Sequence, residues 1–164
     1  MSNVYFAGDL HFGHVGIPKF RPVTSEEIHR ERIIENFNCV LGKRDTLWLM
    51  GDIAFSADMI HQVSRINCGY KFLILGNHDY ANISLWSTVV DGIFGITKKK
   101  GFWLSHAPIH PDELRGKMNI HGHVHNATVD DPRYINVSLE NTAYMPVSLE
   151  EIRESVKAGK VFGK

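Results

Sequence analysis

Five times along the chain, a short run of aliphatic, aromatic and β-branched residues breaks off into Asp, Asn, His and Gly. The runs are Val4-Tyr5-Phe6-Ala7, Thr46-Leu47-Trp48-Leu49-Met50, Lys71-Phe72-Leu73-Ile74-Leu75, Gly101-Phe102-Trp103-Leu104-Ser105 and Met118-Asn119-Ile120. Each predicts a strand, and most are too apolar to keep one face in water. The clusters that follow are Gly8-Asp9-Leu10-His11, Gly51-Asp52, Gly76-Asn77-His78-Asp79, His106 and His121-Gly122-His123-Val124-His125. In layered α/β proteins ligands collect beyond the carboxyl ends of strands, so these clusters are expected to share one edge of the sheets.

Between the strands the apolar period lengthens to that of helices. Thr24 and Glu27 have capping-box spacing, and Ile28, Ile33, Ile34, Phe37, Val40 and Leu41 follow as one apolar face. Further helices are expected over 57–66 and 83–90, and another from the Ser148/Glu151 capping box to Gly159, with the tail 160–164 fraying. Residues 93–97 and 102–105, joined through Lys98-Lys99-Lys100-Gly101, read as a late antiparallel hairpin. The expected class is therefore mixed α/β.

At 164 residues the chain is expected to be one domain, and its apolar content suffices for a real core, which excludes disorder. Eighteen basic residues balance eighteen acidic ones, so no global field draws the protein to nucleic acid or to an anionic membrane. No apolar run approaches a membrane span and no leader pattern opens the chain, so a soluble cytoplasmic protein is expected. Cys39 and Cys68 lack the spacing of a zinc or redox motif and are expected to be reduced and partly buried. The ten histidines are the unusual count, since imidazole both binds metals and titrates near neutrality.

Asp9 and His11 could grip one ion from an extended segment, as could His123 and His125. With Asp52, Asn77 and His106 they make a mixed nitrogen and oxygen donor set without thiolate, suited to Mn, Fe, Co, Ni or Zn. Two dications against two carboxylates leave net positive charge, and a phosphate is the natural guest.

These five blocks, in this order, resemble the signature of the calcineurin-like metallophosphoesterase superfamily. The resemblance implies a four-layer αββα sandwich, two mixed β-sheets flanked by helices, with two divalent metal ions at the strand ends. Asp9, His11, Asp52 and His125 would hold the first metal, and Asp52, Asn77, His106 and His123 the second, Mn being the favoured ion. The pair would activate a shared hydroxide for attack on phosphorus, with His78 as general acid on the leaving oxygen. The Asp-Arg-Gly of the protein phosphatase branch is missing, since Asp52 is followed by Ile53-Ala54-Phe55. The resemblance to small family members of this layout, which include phosphodiesterases, implies a small phosphodiester such as a nucleotide as the favoured substrate. A phosphomonoesterase is the alternative, nucleic acid is disfavoured by the zero net charge, and a non-catalytic protein-binding scaffold is the reading from another class.

His14 shares a loop with Asp9 and His11 and is a candidate phosphate contact. Arg21 is another, weighed against a solvated charge. Asp79 could cap the next helix or orient a neighbour, Asn136 could support the metal shell, and His29 and His61 are expected in solvent. Gly8, Gly51, Gly76 and Gly122 read as backbone devices.

Overall fold

The buried apolar runs form strands at the centre of two sheets. A computed structural model describes residues 2–160 and residue 162, so most of the tail expected to fray lies outside the described residues. Strand β1 (Val4–Ala7) pairs in parallel with β2 (Thr46–Leu49), β2 with β3 (Tyr70–Ile74), and β3 with β4 (Gly92–Phe94). The other edge of this sheet is the short antiparallel β9 (Val147–Ser148) against β1. In the second sheet β5 (Ile96–Lys99) runs antiparallel to β6 (Phe102–Ser105), and β7 (Met118–His121) and β8 (Tyr134–Asn136) continue in parallel. Both sheets are thus mixed, as expected for the α/β sandwich.

The segment 93–97 is not one strand of a hairpin. It breaks at Gly95, with 92–94 completing the first sheet and 96–99 starting the second. The chain crosses between sheets where no side chain needs a place.

One core lies between the first sheet and the helices, joining Ala7, Leu47, Leu49 and Leu73 to Ile33 and Phe37 of α1 (Glu26–Val40). Helices α2 (Ala57–Gln62) and α3 (Ile83–Trp86) add Ile60 and Trp86. The other core lies between the sheets, where Phe6, Trp48 and Ile74 meet Leu104, Ile120 and Ile135. Ile152 of α4 (Leu149–Lys157) closes it at the β9 edge. Each such side chain, fully withdrawn from water, contributes roughly 1.5–3 kcal/mol, which is what fixes the strand ends relative to one another. The outer layer on the second sheet is thin, a 3-10 turn (Pro111–Glu113) and its flanking loop, with Leu114 buried. Asn119 ties that loop down, accepting from the Ile109 amide and donating to Trp103 O.

Several local expectations shift. The cap of α1 is Ser25, which has the extended backbone of a cap and accepts from the Ile28 amide at 3.1 Å, not Thr24. His29 shares a face with Ile33 and Phe37 at i, i+4, i+8 spacing and points inward, while Ile28 is 53% exposed. The helix expected over 57–66 gives way to a 3-10 turn at Val63–Arg65, and the one expected over 83–90 ends after Trp86. The Ser148/Glu151 capping box of α4 forms as read. Cys39 is exposed and Cys68 half-buried, neither in a disulfide. Among the described residues no helix is long and apolar enough to cross a membrane.

Candidate metal centre

The loops after β1 and β2 continue the pairing of their strands. The amides of Asp9, His11 and Phe12 donate to the carbonyls of Gly51, Asp52 and Ile53 at 2.9–3.1 Å. The loops after β6 and β7 are joined by the Gly122 amide, which donates to His106 O at 2.9 Å. Four of the five polar clusters are therefore tied in pairs by backbone before any side chain is considered.

Two groups of side chains converge there. Asp9, His11 and His125 bring one donor atom each to within 4.8 Å of one another, and so do Asp52, His106 and His123. The two groups are held alike. One oxygen of Asp9 accepts from the His123 amide at 2.9 Å, and one oxygen of Asp52 accepts from the His78 amide at 2.9 Å. The second oxygens are left facing imidazoles: Asp9 Oδ1 is 3.8 Å from His11 Nε2, and Asp52 Oδ2 is 3.4 Å from His106 Nε2.

Divalent cations fit this arrangement. Asp9 Oδ1 and His11 Nε2 are buried with no hydrogen-bond partner, a costly state for polar atoms unless a further group satisfies them. The Nδ1 of His106 lies 2.8 Å from Met50 O and donates to it, so its Nε2 carries a lone pair in the neutral ring. That lone pair faces Asn77 Oδ1 and His123 Nδ1, each at 3.1 Å. A lone pair facing an amide oxygen, beside buried polar atoms with no partner, asks for a cation. In the cation-free chain the demand shows as proton affinity: burial would lower His106, but Asp52 and the Met50 carbonyl raise it above the ordinary histidine value. Burial would raise Asp52, and the His106 hydrogen bond and charge bring it below the ordinary range.

The extended geometry expected for Asp9/His11 and His123/His125 is not what brings them in. Asp9, His11, Asp52, His123 and His125 all have left-handed backbone, with φ between 49° and 71°. Leu10, between the first pair, is fully buried, and the curl around it turns both polar neighbours toward the site. The second pair is shared out, one histidine to each group. Glycines make this crowding possible. A Cβ on Gly76 would strike the amide nitrogen and carboxylate of Asp52, and one on Gly122 would strike the carboxylate of Asp9.

His78 is exposed beside this cluster, its Nε2 3.9 Å from Asp52 Oδ2 and its ring stacked on Phe55 at 4.6 Å. His14 packs against Phe55 at 5.2 Å and His11 at 5.7 Å. Asp79, left open between two readings, is an orienting group. Its buried carboxylate accepts from the amides of Asp52, Ile53 and Gly76 at 2.7–3.0 Å and so fixes the second loop. Burial raises its pKa. Asn136 donates to His125 O and Ala127 O and so holds the last loop. His121 is fully buried on the face of β7 opposite Ile120, edge-on to Tyr134 at 6.0 Å and bonded through Nδ1 to Gly122 O.

Two expectations are overturned. Arg21 is 3% exposed, not solvated, and its guanidinium donates to Asp9 O at 2.6 Å, Leu10 O at 3.3 Å and Glu140 at 2.7–2.9 Å, because the loop carbonyls beside the first group need a donor. His29, expected in water, is 1% exposed and sits 2.8 Å from Leu10 O, while His61 is exposed as read.

Glu140 is a functional residue that the sequence reading misses. It lies 3.0 Å from His125 Nδ1, so the Nε2 of that ring is left for the site. The signal that finds it is the one used for the five clusters, since Glu140 belongs to a polar group after the apolar run Tyr134-Ile135.

No protein-family profile matches the chain. It is 30% identical over 176 residues to the uncharacterised protein MJ1445 of Methanocaldococcus jannaschii, spanning 98% of this chain and 95% of that one. The chain belongs to the MJ1445 family. The gene 66 protein of Mycobacterium phage D29 is a further relative of this MJ1445-family chain, 29% identical over 195 residues and matched over 95% of this chain and 96% of its own. Among solved structures, the protein of unknown function AQ665 from Aquifex aeolicus superposes with a TM-score of 0.75 at 28% identity, covering 94% of this chain and 99% of that one. Pseudomonas putida nuclease MPE superposes with a TM-score of 0.52 at 21% identity, over 74% of this chain and 61% of its own. The MJ1445-family chain thus shares its fold with a nuclease.

Proposed function

We propose that this protein is a phosphoesterase that works with two divalent cations, manganese being favoured, and that its substrate is a small phosphodiester such as a nucleotide. The observation that carries the reading is the pair of carboxylates, each pinned through one oxygen by a backbone amide and turned through the other toward an imidazole nitrogen, at 3.8 Å for Asp9 and 3.4 Å for Asp52. The nuclease among the fold neighbours supports the hydrolase class.

Asp9, His11, Asp52 and His125 would hold one cation, and Asp52, Asn77, His106 and His123 the other. Cations held there would supply Lewis-acid polarisation of a phosphate and a hydroxide at neutral pH. The chain's own residues do the rest. Asp79 keeps the amides of 52 and 53 in place, so the Asp52 carboxylate keeps its aim. Phe55 fixes the plane of the His78 ring. From there His78 Nε2, exposed and near the Asp52 carboxylate, delivers a proton to the departing oxygen, typically worth 10²–10⁴-fold.

The test is a Mn²⁺ titration followed by hydrolysis of bis-p-nitrophenyl phosphate against p-nitrophenyl phosphate. Two equivalents of Mn²⁺ and metal-dependent turnover of the diester, both diminished in Asp52→Asn, are expected. Turnover of the monoester alone would make the protein a phosphomonoesterase, and a Mn-loaded but inert protein would favour the scaffold reading.

A further inference from the structure

Beside the first group lies a cavity of about 380 Å³, within the size range of small-molecule sites. Its inner wall is His11 and His125, and its outer wall is Ile17, Phe20 and His14. The outer wall is built in advance. The loop is closed by hydrogen bonds from the His14 amide to His11 O at 3.1 Å and from the Ile17 amide to His14 O at 2.9 Å. Glu26 accepts from the Gly13 amide at 2.8 Å and fixes the loop's entry. Ile17 is buried and forms an apolar floor, whereas Phe20 is 72% exposed, an aromatic ring held in water at the mouth of a site. The rings run in a series from the first group outward: His14 is edge-on to His11 at 5.7 Å and to Phe20 at 6.1 Å.

Charge narrows what can enter. Among the described residues lining the cavity, Arg21 and Glu140 are the two with permanently ionic side chains, and they are buried against each other at 2.7 Å, so they neutralise one another and offer no free guanidinium or ammonium to a second phosphate. An uncharged, flat group suits this space, and an exposed aromatic side chain gains most by stacking on one.

We propose that the cavity walled by Ile17, His14 and Phe20 is the subsite for the organic group esterified to the phosphate, and that it selects a nucleobase. The subsite rests on the phosphoesterase reading and deepens it: the phosphate would sit at the two side-chain groups and the base against Phe20. This size and charge suit one nucleotide, whereas a polynucleotide would bring a second phosphate to a place with no cation for it.

The experiment measures competitive inhibition of bis-p-nitrophenyl phosphate hydrolysis by AMP, glycerol phosphate and inorganic phosphate, on the Mn²⁺-loaded wild type, Phe20→Ala and Phe20→Trp. Equilibrium binding of the same three compounds is measured alongside. AMP is expected to bind about tenfold tighter than glycerol phosphate. Phe20→Ala is expected to erase that ratio and Phe20→Trp to keep it, with Mn²⁺ binding retained in both as the control for folding. Equal affinity for AMP and glycerol phosphate, or a ratio unmoved in Phe20→Ala, overturns the subsite while the phosphoesterase reading stands. Failure of the Mn²⁺-loaded wild type to bind inorganic phosphate or turn over either ester overturns both.

Discussion

The carboxylate of Glu140 stands 3.0 Å from Nδ1 of His125, and the same oxygen accepts from Arg21. Arg21 in turn holds the carbonyls of Asp9 and Leu10. One buried ion pair therefore sets both sides of the first group: the ring of His125 directly, and the Asp9–His11 loop through its backbone.

Glu140→Ala is expected to weaken binding of one Mn²⁺ equivalent by about 10–100-fold, as is usual when a group behind a histidine ligand is lost. Calorimetric titration resolves this, with circular dichroism showing the fold intact. Glu140→Gln, which keeps an acceptor for the ring, should fall between Ala and wild type. Two unchanged affinities would show that His125 needs no partner.

Gly76→Ala is expected to disable the second group without replacing any of its donor residues. Its new methyl group meets the backbone nitrogen and carboxylate of Asp52, so the carboxylate must move. Loss of at least one Mn²⁺ equivalent and a drop in diester turnover of about 10²-fold or more are expected, since misplacement by an ångström has that cost.

His78→Gln should separate chemistry from cation binding. With a poor alkoxide leaving group the rate should fall by 10²–10⁴-fold, and with p-nitrophenolate by much less, because a stabilised anion needs little help from an acid. Mn²⁺ affinity should not change. An equal loss for both leaving groups would remove His78 from the protonation step.

Acid should weaken the cation-free protein in two stages. Burial holds His29 at about 4, below its ordinary 6.5. The unfolded chain then takes up a proton the folded one refuses, so the His29 contribution is fully present above pH 6.5 and is lost as the pH drops toward 4, by ~3 kcal/mol at most. Burial would raise Glu140, but the hydrogen bond to His125 and the charge of Arg21 bring it to about 2, so its contribution disappears between about 4.5 and 2. Thermal melts in chelator across this range should show a shallower slope between pH 6.5 and 4 for His29→Leu. A slope matching the wild type would locate the first stage elsewhere.

The strand ends and their polar clusters were legible because a buried apolar run that stops at Asp or His is a local signal. So was the capping box of α4, which involves residues three apart. The fate of Arg21 and His29 was not, since both answer to the carbonyls of residues 9 and 10, which the fold alone carries to them. Ile28 and His29 show how fine the margin is, for the residue that lines up with Ile33 and Phe37 at four-residue spacing is the polar one of the two. Phe55 went unnoticed for the opposite reason, as its neighbours His11, His14 and His78 come from two distant loops.

The left-handed backbone under Asp9, His11, Asp52, His123 and His125 sets evolution against thermal robustness. A non-glycine residue held in that conformation costs on the order of 1–3 kcal/mol, and glycine or asparagine would relieve it. A laboratory lineage selected for heat resistance in chelating medium should therefore discard these side chains early, arriving at a hardier protein that has forgotten its chemistry.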